Sequence, residues 1–243
     1  MTDEKLHQNK ESIIEFLESL KSAPERKRLG LLSLLEDRVE ELLDLGPSLM
    51  IGFDPNDCDW TPGFILQLIH RNDENFIKNN LNCDDLSWFE APSEVGFDYS
   101  PLQQYLLNER YEEADRFTSS KLRELAGEKA VKRGYVYFSE VESIPGIDLS
   151  TLDKLWIIYS RGKFGFTVQS KILNSLGGRY DKLWPRIGWK KDGVWTRYPK
   201  SFDWSIEAPN GHMPLVNQLR GVRLMDSLLN HQALKTKSER FNV

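Results

Sequence analysis

Residues 184–223 read WPRIGWKKDGVWTRYPKSFDWSIEAPNGHMPLVNQLRGVR and carry four of the chain's seven tryptophans, followed by two arginines three positions apart. Pro185, Gly188, Gly193, Pro199, Pro209 and Gly211 punctuate the stretch, so most of it is expected to be loop, and a helix begins only after Pro214. Aromatic rings on a loop must be covered, because each can bury on the order of 150–250 Å². Trp184, Trp189, Trp195, Tyr198, Phe202 and Trp204, six rings with cations between them, are therefore expected to form a ligand-facing lid or pocket, Trp189 among the contacts. In the helix after Pro214, at about 100° per residue, Leu215, Leu219, Val222 and Leu229 share one sector. Arg220 and Arg223 lie at its border about 60° apart, and Asn217 sits one turn before Arg220. Paired guanidinium groups beside an apolar wall suit a greasy ligand with two carboxylates, since each can form two parallel hydrogen bonds to a carboxylate.

Outward from this stretch the chain is helical. Leu6, Ile13, Ile14, Leu17 and Leu20, then Leu31, Leu32, Leu35, Val39, Leu42 and Leu43, give a helical hairpin over residues 4–45. A third helix is expected over 60–80, with Pro62 in its first turn. Residues 82–97 read as a linker, which divides the chain into an N-terminal helical bundle with linker at 1–90 and a core domain at 91–243. Helices follow from Pro101, over 110–126, from Asp148 to Gly162, over 166–176 and over 180–187. Tyr135–Phe138 is the single strand candidate, so the fold class is all-α.

At 243 residues, 40% hydrophobic and 28% charged, the chain can bury a substantial core. It shows neither an apolar run of membrane-spanning length nor a leader pattern, and with only Cys58 and Cys83 a reduced, cytoplasmic protein without disulfide or zinc is expected. Charge is divided: residues 1–118 hold 11 Lys/Arg against 25 Asp/Glu, net −14, and residues 119–243 hold 21 against 12, net +9. A basic, aromatic-rich half fits an anionic aromatic small molecule, and it equally fits a single-stranded nucleic-acid module. His212 stands without a second ligand and is read as structural. Asp148, Glu140 and Glu142 are read as helix caps, because no nucleophile or base lies at an interpretable spacing from them. With no phosphate loop, HExxH or paired Cys motif, neither catalytic nor metal-ligating residues are assigned.

The segments YFSEVE (137–142), IDLSTLDKLW (147–156), GKFGFTVQ (162–169), LWPRIGWK (183–190), VWTRYPK (194–200), APNGH (208–212) and PLVNQLRGVR (214–223) resemble, in order, the core of the genomes-uncoupled tetrapyrrole-binding proteins. These are regulators of magnesium chelatase in chlorophyll synthesis. The resemblance implies a C-terminal all-helical core shaped as a cupped hand that holds protoporphyrin IX or Mg-protoporphyrin IX as ligand, with no catalytic cofactor and no chemistry of its own. It places Arg220 and Arg223 near the porphyrin carboxylates, Asn217 toward the ring centre, and Phe138, Trp195 and Tyr198 on the apolar and loop contacts. Tyr198 stands where the family has tryptophan. The implied partner is the large porphyrin-binding subunit of the chelatase rather than nucleic acid. Peripheral association with a thylakoid membrane is compatible with it.

Overall fold

The structure is a computed structural model that describes residues 3–215 and 222–235, with the backbone alone for residues 3–11 and 25. The chain divides into two compact units, 1–90 and 91–243. Both are helical, and among the described residues the strands are two residues long.

In the first unit, α1 (Asp3–Ser22) buries Ile13, Leu17 and Leu20, the one-turn spacing that makes an amphipathic helix bury one stripe. It packs on α4 (Val39–Asp44), and α4 on α5 (Thr61–Asn72). The expected second arm of the hairpin is not continuous. It is divided into α2 (Glu25–Leu29), α3 (Leu32–Glu36) and α4. The break between α3 and α4 falls at Arg38, whose backbone leaves the helical region (φ −113°, ψ 23°) while its guanidinium holds Glu41 at 2.6 and 2.9 Å and covers Phe16. The expected 60–80 helix is likewise two, α5 and α6 (Phe76–Leu81), because the Asp73 carboxylate accepts the Asn75 N–H at 2.9 Å and offers the backbone a turn in place of another helical step.

The second unit is built around α10 (Gly146–Ile158), buried on nearly every side, as expected of a helix at the centre of a domain. Its Trp156 donates its indole N–H to Thr118 at 2.9 Å and packs with Tyr111 and Phe164. Tyr111 and Thr118 belong to α8 (Tyr111–Leu125), which pairs with α7 (Ser100–Leu107). The short α9 (Glu128–Arg133) follows α8. Asp153 of α10 accepts the Thr167 N–H at 2.8 Å and so starts α11 (Phe166–Ser175) from outside that helix. Asp148 does not cap α10. It is wholly buried and accepts hydrogen bonds from the Glu94 N–H and the Tyr99 hydroxyl at 2.9 and 2.8 Å, fixing the start of the unit. Glu140 does act as a cap, taking the Tyr137 N–H at 2.8 Å.

Residues 135–138 form no strand; Phe138 opens a 3-10 helix, Phe138–Ser143. The strands are β1 (Lys190–Lys191) and β2 (Val194–Trp195), antiparallel, with Lys190 opposite Trp195. Asp192 and Gly193 turn the hairpin with φ of +49° and +81°, the left-handed pair such a two-residue turn needs. They follow α12 (Tyr180–Arg186) within the long connection to α13 (Val222–Leu229), and α13 lies against the 3-10 helix.

Candidate functional site

The connection from α12 to α13 is fastened at its base. Gln169 of α11 donates to Gly211 O and Pro214 O at 3.0 and 2.9 Å, the Gly211 N–H reaches Lys163 O at 2.7 Å, and the Gly165 N–H reaches Met213 O at 3.0 Å. His212 is 2% exposed and sits on Ile187 O at 2.7 Å; burial holds its imidazole below the usual pKa. It is thus a structural residue packed on Phe202.

Most of the loop's aromatic rings cover one another. Trp189 stacks on Trp184 at 5.6 Å, nearly parallel, and donates to His212 O at 2.7 Å. Gly188, at φ +74°, makes this possible, since a Cβ there would lie 3.0 Å from the His212 ring and 3.1 Å from Pro209. Trp189 is consequently 1% exposed and does not line the pocket, contrary to its expected place among the ligand contacts: it lies beneath Trp184, which in turn packs on Trp195. Trp195 and Tyr198 are different. They are 38% and 41% exposed and both face a cavity of about 570 Å³.

Five elements make that cavity. Helix α8 gives Ser119, Leu122 and Arg123; the segment after α9 gives Val136; the 3-10 helix and the turn after it give Val141 and Ile144. The loop gives Trp195, Thr196, Arg197 and Tyr198, and the last helix with its approach gives Leu215, Leu224 and Leu228. The wall is mainly aliphatic with an indole and a phenol on one side and two guanidinium groups on different elements. Its size lies within the ~300–1,000 Å³ of ordinary ligand pockets. Arg123 and Arg197 were not singled out by sequence reasoning. Arg197 stands two residues past Trp195, and Arg123 one turn past Ser119, but their convergence is visible only in the fold.

Phe138 and Arg223 sit together at 5.6 Å, guanidinium over ring, on the 3-10 helix and α13. Both are exposed, and neither lines the cavity, although Val141 and Leu224 of the same elements do. Asn217 and Arg220 lie outside the described residues. Behind the wall, Asp115 of α8 is wholly buried; burial raises its carboxyl pKa to about 7, against hydrogen bonding from Leu215 and Tyr198, which lowers it. Burial first, and then the charge of Asp115, raises the Tyr198 hydroxyl pKa.

Among the described residues, no cluster of three or more His, Cys, Asp or Glu is arranged to hold a metal, and no helix is long and apolar enough to cross a membrane. The second unit is a helical module with an aliphatic cup, walled on one side by a loop of aromatic residues and lined by two arginines.

Residues 92–232 match the sequence profile of the family described as GUN4-like, and the chain belongs to that family. It is 37% identical over 227 residues to a Ycf53-like protein of Synechocystis sp., covering 91% of this chain and 96% of that one. A chloroplastic protein of Arabidopsis thaliana named tetrapyrrole-binding protein is 37% identical over 150 residues, 58% of this chain and 57% of its own length. The structure of GUN4 from Chlamydomonas reinhardtii superposes with a TM-score of 0.57 at 38% identity, over 60% of this chain and 93% of that one. That of ligand-free Arabidopsis thaliana GUN4 does so at 0.53 and 38%, over 59% and 98%.

Proposed function

We propose that the chain binds a tetrapyrrole, protoporphyrin IX or its magnesium complex, in the 570 Å³ cavity and releases it unchanged. A porphyrin of this kind is a flat apolar body with two carboxylates on one edge. The observation that carries the reading is the composition of the wall: aliphatic side chains from three helical elements and the segments beside them, Trp195 and Tyr198 across from them, and Arg123 and Arg197 within reach of the same space. Membership in a family that includes a protein named for tetrapyrrole binding supports it. We assign Arg220 and Arg223 to the same carboxylates, Asn217 to a polar contact with the ring, and Phe138 to a further apolar contact beyond the cavity lining. The proposal extends to a regulator of magnesium chelatase in chlorophyll synthesis, docking on the large porphyrin-binding subunit of that enzyme and doing no chemistry itself.

The test is tryptophan fluorescence of the full chain titrated with protoporphyrin IX and, separately, with a single-stranded oligonucleotide. Saturable 1:1 quenching by the porphyrin, with the pigment's absorption spectrum recovered unaltered on extraction, is expected. Quenching by the oligonucleotide alone, with the steep salt dependence of phosphate contacts, would replace this reading with a nucleic-acid module.

A further inference from the structure

Asp115 stands one helical turn before Ser119, which lines the cavity, yet its own side chain is wholly buried. An interior carboxyl group is costly unless its oxygens are matched, and an apolar side chain of similar size usually serves stability as well or better. Helix capping does not account for it, because Asp115 lies in the interior of α8. Its Oδ1 accepts the Leu215 backbone N–H at 2.6 Å, across 100 residues of sequence. Its Oδ2 is buried without a hydrogen-bond partner among the described residues. The Tyr198 hydroxyl faces the same carboxyl closely enough for its own ionisation to be hindered by it. Leu215 and Tyr198 both line the cavity, and they belong to two irregular parts of its wall, the approach to α13 and the aromatic loop. One side chain on a helix therefore holds one irregular part of the pocket wall and stands behind another.

We propose that Asp115 is a positioning residue for the tetrapyrrole pocket, an inference that rests on the function proposed above: its carboxyl fixes Leu215 and stands behind Tyr198, and its ionisation sets a buried negative charge behind that wall and weakens the grip on an anionic ligand. The groups that face it are Tyr198 from the loop, the uncharged Leu215 N–H from the approach to α13, and Glu112 and Arg116 from α8 itself. Glu112 adds to burial in opposing ionisation, and Arg116, occupied by its ion pair with Glu112, favours it. Burial is the largest of these and carries the titration to about 7. Below that pH the carboxyl O–H can be shared with the Tyr198 oxygen and the space behind the wall stays dry. Above it, a buried negative charge with one unmatched oxygen draws water in behind Tyr198 and repels an anionic ligand on the far side.

Two measurements on the full chain test this. In the ligand-free protein the Leu215 amide resonance is followed by NMR from pH 5.5 to 8.5. It is expected to titrate with a midpoint near 7 and to be still in Asp115→Asn, which keeps the acceptor for that amide. An amide that does not titrate, or titrates alike in the variant, overturns the proposal without any ligand being involved. In the second measurement the probe is deuteroporphyrin IX, read by tryptophan quenching at pH 6 and pH 8. The parent is expected to lose roughly 3–10-fold in affinity between them, a coupling of ordinary size, while Asp115→Asn stays flat and Tyr198→Phe keeps part of the dependence. Parallel pH profiles for parent and Asp115→Asn overturn the proposal. A parent that binds no porphyrin at either pH sinks the proposed function, and the ligand half of this inference with it. The Leu215 titration tells the two failures apart.

Discussion

Replacing Asp115 by asparagine should make the protein more stable relative to the parent as the pH rises, because the substitution removes a charge that the interior resists. The carboxyl's ordinary pKa is 3.8 and burial raises it to about 7 in the folded chain. The folded state therefore holds its proton more tightly than the unfolded one. The sign follows: below pH 3.8 both states are protonated, and between 3.8 and about 7 the parent loses stability with each unit of pH. Above 7 the penalty is constant. At about 1.4 kcal/mol per unit, the parent gives up roughly 2–3 kcal/mol between pH 5 and pH 8 that the asparagine variant does not. The group is fully buried, so solvent screening does not reduce this much, while relaxation of the structure around the charge makes it an upper figure. The assay is urea denaturation of parent and variant at half-unit steps from pH 5 to 8, taking the difference between the two so that other titrating groups cancel. The reasoning is refuted if that difference stays level across the range, which would mean that Asp115 titrates as an exposed carboxylate does.

Three further outcomes follow from the site. Trp189→Ala should cost about 3–5 kcal/mol of stability because the ring is fully buried, whereas Trp195→Ala should cost little stability and instead weaken porphyrin binding; thermal melts and fluorescence titrations of the two variants check the contrast. Gly211→Ala places a Cβ 2.8 Å from Ile172 and 3.0 Å from Ile187 at φ +78°, and should cost at least ~2 kcal/mol, while Gly193→Ala meets nothing within 4 Å and should cost only the ~1 kcal/mol of a left-handed backbone, both read by denaturant midpoint. Arg123→Gln and Arg197→Gln should each weaken a dicarboxylate porphyrin by about 1.5–3 kcal/mol, and the loss should vanish for the dimethyl ester in the same titration.

The residues that carried the helices in sequence are those whose neighbours along the chain decide their fate. Ile13, Leu17 and Leu20 repeat at helical spacing and are buried together, and the positions of α8, α10 and α11 follow from similar spacing with glycine stops. The β1–β2 hairpin was also signalled locally, by Asp192-Gly193, but two residues per strand leave no alternation to notice. What sequence alone misjudged depends on partners far away. Trp189 and Trp195 are both tryptophans on a glycine-punctuated loop, and only the left-handed turn at Gly188 folds Trp189 inward beneath Trp184. Asp115 follows Glu112 and Glu113 with nothing along the chain to set it apart; its place is fixed by Leu215, 100 residues on. Arg123 and Arg197 meet at one cavity because α8 and the loop do, which spacing along the chain does not encode.

The most direct measurement fills the cavity from within. Leu224 is buried in its wall, so Leu224→Trp should occupy the space while circular dichroism shows the helices intact. Titrated with protoporphyrin IX, the parent should show saturable 1:1 quenching and the variant none. A folded Leu224→Trp protein that binds the porphyrin as tightly as the parent would place the ligand elsewhere and contradict the account.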